Sequence, residues 1–138
     1  MLVYFHPDIH FSTMAGSIYM EHILDLYKHP HNFGTLDMPT ARYRAFNPLC
    51  GDDVTIGIVT DGGIVTDVKW EGRGCAISMA SASLVTDLMK GKPLEGVMAV
   101  DKEEVLNLLG VPVGPVRLKC ALLSLEGVHN CVRLAMAH

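Results

Sequence analysis

Three cysteines stand where the chain changes character. Cys50 closes Asn47-Pro48-Leu49 and leads into an alternating apolar run. Cys75 follows Gly72-Arg73-Gly74 and opens a run of good helix formers, Ala76 to Lys90. Cys120 comes just after the stiff connector Gly110-Val111-Pro112-Val113-Gly114-Pro115, in the expected first turn of the last helix. Deprotonated, a cysteine binds metal or attacks an electrophile. A helix N-terminus favours that form, because its unpaired N–H groups and dipole attract negative charge. Asp52 is the candidate fourth ligand. Side chains alternate along an extended chain, so Asp52 can face the same way as Cys50 while Asp53 points away. Three thiolates and a carboxylate suit tetrahedral zinc, and thiolate-rich sites also suit iron–sulfur clusters. The spacing contains no CxxC pair and fits no zinc-finger pattern. From spacing alone, a metal site and three small buried hydrophobes are equally open readings.

The remaining reactive residues say less. Cys131 lies about three helical turns beyond Cys120, a rise of about 16 Å, so one metal cannot bind both and Cys131 reads as core. Arg117 and Lys119 flank Cys120, and Arg73 precedes Cys75. Each can lower a thiol pKa or simply be solvated. Gly72-x-Gly74 suggests a tight turn. It is not a dinucleotide fingerprint, since Ile77 stands where a third glycine would and no strand–helix–strand unit follows. The serines at 78, 81 and 83 have no acid–base partner in the sequence and read as small residues for close helix packing. Met79, Met89 and Met98 read as core. His6, His10, His29 and His31 form a cluster that reads as part of a polar N-terminal segment rather than a metal site.

These residues need elements to hold them. Residues 1–15 read as a flexible lead-in, followed by one domain over 16–138. Ser17 is a cap for a helix from Ile18 to Lys28, with Ile18, Ile23, Leu24 and Tyr27 on a buried face. Ala41 to Phe46 reads as an edge strand. Val54 to Thr60 and Ile64 to Glu71 read as a hairpin around Asp61-Gly62-Gly63, with Ile64, Thr66, Val68 and Trp70 on one side. Asp101 and Glu104 mark the start of a helix to Leu109. A last helix runs to Met136. This order predicts an α+β fold, a small antiparallel sheet of about three strands with helices packed on one face.

Composition narrows the function. The chain has 138 residues, 49% of them hydrophobic, enough for one domain with its own core. A net charge of −4 and a pI of about 5.9, with thinly spread basic residues, give no reason to expect nucleic acid. No run is long and apolar enough for a membrane span, and Met1 to Phe11 does not read as a signal peptide. A cytoplasmic protein with reduced thiols is expected, where spaced cysteines mean metal or chemistry more often than disulfides.

The segments YKHPHNFGTL, NPLCGDDV, GRGCAISMASASLVTDLMKGK and PVRLKCALLSLEG, in that order, resemble the U-type iron–sulfur cluster assembly scaffolds: the NifU N-terminal domain, IscU and SufU. The resemblance runs from Met20 to Leu134. It implies a SufE/NifU-like α+β sandwich. It implies that Cys50, Asp52, Cys75 and Cys120 hold zinc in the resting protein and a transient [2Fe–2S] cluster during assembly, with Cys120 as the persulfide acceptor. It implies a cysteine desulfurase and recipient apo-proteins as partners. The chain is a hybrid of the family's types. Lys119 stands where the IscU type has histidine, as in the SufU type, yet the gap from Cys75 to Cys120 leaves no room for the SufU-type insertion. Val113-Gly114-Pro115-Val116-Arg117 keeps only part of the IscU chaperone motif, so an Hsp70-type partner is left undecided. Three functions follow: a scaffold, a zinc-dependent sulfur acceptor of SufU type, and a structural zinc protein without sulfur chemistry.

Overall fold

The computed structural model describes residues 9–137. Its elements in chain order are α1 (Ile9–Lys28), β1 (Ala41–Asn47), β2 (Asp52–Asp61), β3 (Ile64–Arg73), α2 (Ala76–Met89), α3 (Leu94–Met98), α4 (Lys102–Leu109) and α5 (Pro115–Met136). The three strands form one antiparallel sheet in the order β1-β2-β3. The expected α+β architecture and all three strands are therefore present. Short α3 was not expected.

Register explains the core. Ala45, Val54 and Gly72 lie abreast, as do Tyr43, Ile56 and Trp70, and Ala41, Ile58 and Val68. These rows share one face. Val54, Ile56, Ile58, Val68 and Trp70 are fully or almost fully buried there. Helices α2 and α5 pack on the sheet, α4 braces both helices, and α1 lies against α2. Gly127 lets α5 come close to the sheet. A Cβ at that position would sit 3.1 Å from Ile56 Cδ1 and 3.2 Å from Ala45 Cβ.

Two facing assignments are corrected. The register shifts at Val59/Thr60: Val59 pairs with Asp67 and Thr60 with Val65, so Thr66 is an extra residue in β3. A bulge of this kind breaks the period-2 pattern. Val65 is buried while Ile64 and Thr66 point out, and only Val68 and Trp70 of the expected set face the core. In α1 the helix begins at Ile9, so Ser17 lies inside it rather than at its cap. Among its described side chains Ile23 and Leu26 are buried, while Ile18, Leu24 and Tyr27 are exposed.

The loop after α1 is tied down by polar contacts. Trp70 Nε1 donates to the His31 carbonyl at 2.7 Å, and His31 Nδ1 lies 2.7 Å from Asp87 Oδ2. Asn32, with φ of 62°, donates through Nδ2 to Thr86 Oγ1 and Asp87 Oδ1. His31 is thus engaged with Asp87, and His29 is exposed. His6 and the His10 side chain lie outside what the structure describes, as does most of the expected lead-in. Asp101 caps α4 by accepting from Glu104 N at 3.0 Å, as expected. Among the described residues no helix is long and apolar enough to cross a membrane.

Candidate metal centre

Each candidate ligand is placed by a separate local device. Asp52 is the first residue of β2, opposite Asn47, on the same sheet face as Val54 and Ile56. It is therefore a carboxylate at the rim of the apolar core, and it is buried. Asp53 points the other way. Arg44 grips it with two hydrogen bonds, Nε to Oδ1 at 2.9 Å and Nη2 to Oδ2 at 2.8 Å, which hold its carboxyl below the usual range. The alternation that separated the two aspartates in the sequence is the one observed.

Cys50 sits in the turn between β1 and β2, where Gly51 takes φ of 76° and its N–H donates to the Asn47 carbonyl at 2.8 Å. Its side chain is exposed. Cys75 is the N-cap residue of α2, with its carbonyl accepting from Met79 N at 3.1 Å. Cys120 is the sixth residue of α5, so it lies in the second turn rather than the first, and there it is buried.

The two glycines before Cys75 work by close approach rather than by a tight turn. Strand β3 continues through Gly72 to Arg73. Gly72 has φ of 151°, and a Cβ there would fall 1.9 Å from the Asp53 carbonyl oxygen. A Cβ at Gly74 would fall 2.7 Å from Asp52 Oδ1. Only glycine lets β3 and the turn press this closely on the start of β2.

Three of the four candidates meet. One donor atom each from Cys50, Asp52 and Cys120 lies within 4.8 Å of the others, the one such His/Cys/Asp/Glu group among the described residues. Cys50 Sγ and Cys120 Sγ are 3.7 Å apart. Cys75 stands outside that tight group but lines the same open cleft, together with Arg73 and Arg117. Its sulfur lies 3.6 Å from Ser78 Oγ, and Ser78 Oγ donates to Asp52 Oδ2. Cys131 is far from this group. It is fully buried, its thiol lies 3.5 Å from the Ile56 carbonyl, and burial pushes it up to about 12, as fits a core residue.

The electrostatics favour a cation. Burial alone would raise the Asp52 carboxyl. Hydrogen bonds from Ser78 Oγ, the Cys120 and Cys50 thiols and the Cys75 backbone N–H outweigh it and hold the group ionised. The Cys120 thiol is pushed strongly upward by burial first, then by its contacts with Asp52 and Cys50 and by charge on Cys75 and Asp52. Flanking Arg117 and Lys119 do not reverse this. A cation shared among the donors would offset this mutual repulsion and let the thiols ionise. Three sulfurs and one carboxylate oxygen are a donor set that zinc accepts.

A family model described as the NifU-like N-terminal domain matches residues 18–134. The chain belongs to this family. Its sequence is 35% identical to SufU of Bacillus subtilis, named as a zinc-dependent sulfurtransferase, in a match covering 88% of this chain and 94% of that protein. It is 34% identical to the iron–sulfur cluster assembly scaffold protein IscU of Haemophilus influenzae, covering 83% and 92%. The SufU match runs over 139 positions, more than this chain contributes, so that relative carries residues absent here. In structure the chain resembles the N-terminal part of a NifU-like protein from Brucella abortus, with a TM-score of 0.74 at 26% identity over 90% of this chain and 98% of that one.

Ser78, which reads in the sequence as a small packing residue, hydrogen-bonds a candidate ligand. Its signal was available: Ser78 and Ser81 recur at helical spacing, three residues apart, on the first half of α2. Ser81 Oγ donates to the Ala121 carbonyl at 2.6 Å and lies 2.9 Å from Ser124 Oγ, so these hydroxyls mark the α2 face that meets α5.

Proposed function

We propose that this protein is an iron–sulfur cluster assembly scaffold. It accepts sulfur from a cysteine desulfurase and holds a transient [2Fe–2S] cluster, its cargo, for delivery to recipient apo-proteins. The observation that carries the reading is the convergence of Cys50, Asp52 and Cys120 within 4.8 Å, in an open cleft that Cys75 also lines. A closed structural site would hide these donors. Here the Cys50 side chain is exposed, as exchange with partners requires. In the resting protein Cys50, Asp52, Cys75 and Cys120 would hold zinc, which keeps buried thiols deprotonated. All four cysteines of the chain are free thiols, which fits a reducing, cytoplasmic setting.

Sulfur arrives by exchange. A thiolate of this chain attacks the outer sulfur of the desulfurase persulfide. A new S–S bond forms, the old one breaks, and the desulfurase cysteine leaves as thiolate. Cys120 is the proposed final acceptor. The exposed Cys50, with its sulfur 3.7 Å away, can meet the partner first and pass the sulfur on by the same exchange.

A second reading, a zinc-dependent sulfur acceptor of SufU type, draws support from the likeness to SufU and from Lys119 before the last cysteine. One experiment separates the two. Anaerobic protein is incubated with a desulfurase, cysteine, ferrous iron and a thiol reductant that supplies two electrons per sulfur. Metal and acid-labile sulfide are then measured. Replacement of zinc by iron and sulfide in about equal amounts supports the scaffold. Zinc that stays bound, with persulfide alone on a cysteine, supports the acceptor. Neither metal nor persulfide removes both.

A further inference from the structure

We propose that Ser78 is a positioning residue for the metal centre: it fixes the Asp52 carboxylate in the orientation that presents it to the thiols, and so sets how firmly the site holds its ion. The proposal rests on the metal-site reading above and adds a residue to it.

The geometry is specific. Ser78 is buried at 1% exposure, in the first turn of α2. Its hydroxyl touches three of the four candidate ligand residues. It donates to Asp52 Oδ2, lies 3.6 Å from Cys75 Sγ and lies 3.3 Å from the Cys120 carbonyl oxygen. A hydroxyl has one proton to give. The ionised carboxylate is the stronger acceptor, so the proton goes to Asp52. That leaves the oxygen lone pairs facing Cys75.

The carboxylate is gripped at one oxygen and given room at the other. Ser78 binds Oδ2. On the side of Oδ1, Gly74 leaves the space that a Cβ would take, only 2.7 Å from that oxygen and 3.2 Å from Ser78 Cβ. Gly74 thus admits the carboxylate, and the Ser78 hydrogen bond is what keeps it from turning. Orienting a ligand in this way is the usual role of a group just outside the coordination sphere, and its loss typically weakens metal binding ten- to hundredfold.

The test measures zinc affinity on the full chain by competition with a chromophoric chelator. Four proteins are compared: wild type, Ser78→Ala, Asp52→Ala and the double variant. Alanine is the best helix former, so α2 is expected to persist, and circular dichroism and a urea midpoint check this. Ser78→Ala should lower affinity by about ten- to hundredfold. On the Asp52→Ala background the same change should have almost no effect, because Ser78 acts through Asp52. Equal losses on both backgrounds would mean a general structural role and overturn the proposal, as would an unchanged affinity or a Ser78→Ala chain that does not fold. A wild-type protein that binds no zinc would instead refute the metal site itself, a result distinct from all of these.

Discussion

At the scale of single residues, two neighbouring aspartates show how side-chain direction assigns roles. Asp53 faces outward and is spent on Arg44, whose guanidinium also lies 4.8 Å from the Phe46 ring centroid. Asp52 faces inward, is buried, and accepts from Ser78 beside the Cys50 and Cys120 thiols. It is the single oxygen ligand in a proposed set of sulfurs, and so the arm best suited to let go of a thiolate-preferring cluster. Asp52→Ala should therefore make a reconstituted cluster longer-lived. The decay of its visible absorbance in the presence of an iron chelator measures this. An equally short lifetime in the variant rules out that role for Asp52. Asp53→Ala is the matched control and should leave the lifetime unchanged.

At the scale of elements, the site depends on how tightly β3 hugs β2 before turning into α2. Gly72 makes that contact, at a φ of 151° and with the Asp53 carbonyl oxygen where a Cβ would be. Gly72→Ala must move one strand off the other or break the turn. It is expected to cost about 1–3 kcal/mol or more, read as a lower urea midpoint, and to weaken zinc binding as Cys75 is displaced. A variant as stable as wild type would show that the strands separate freely at this end. Local elements were largely legible in the sequence. The cap at Asp101, the hairpin at Gly62-Gly63 and the Cys75 helix start all depend on residues a few positions apart, and all are found. The bulge at Thr66 was not legible, because it is defined by pairing with another strand. The start of α1 differs from the expectation because a serine, though favoured at a cap, is tolerated inside a helix.

At the scale of the whole molecule, the centre exists only when the chain is folded. A hairpin turn, a strand end, a helix cap and the second turn of α5 bring the donors together from distant parts of the sequence. A ligand that binds the folded form alone stabilises it by mass action, by about 2.7 kcal/mol at a free concentration one hundred times its dissociation constant. Zinc removal by a chelator should therefore lower the thermal midpoint of the wild type. The same treatment should move Asp52→Ala less, since that variant starts with weaker binding. Differential scanning calorimetry with and without chelator decides it, and identical shifts in the two proteins would place zinc elsewhere.

The sequence by itself determined the class of fold, the family, and the identity of the cysteines and aspartate worth watching. These follow from periodicity, turn residues and short motifs, which are properties of contiguous chain. Only the tertiary structure decided which of those residues converge, that Cys75 stands slightly apart from the other three, that Cys120 is buried while Cys50 is exposed, and that Ser78 ties the set together. The physical reason is that burial, hydrogen bonding and the mutual repulsion of like-charged groups depend on distances between segments, and those distances are fixed only when α2 and α5 close over the sheet.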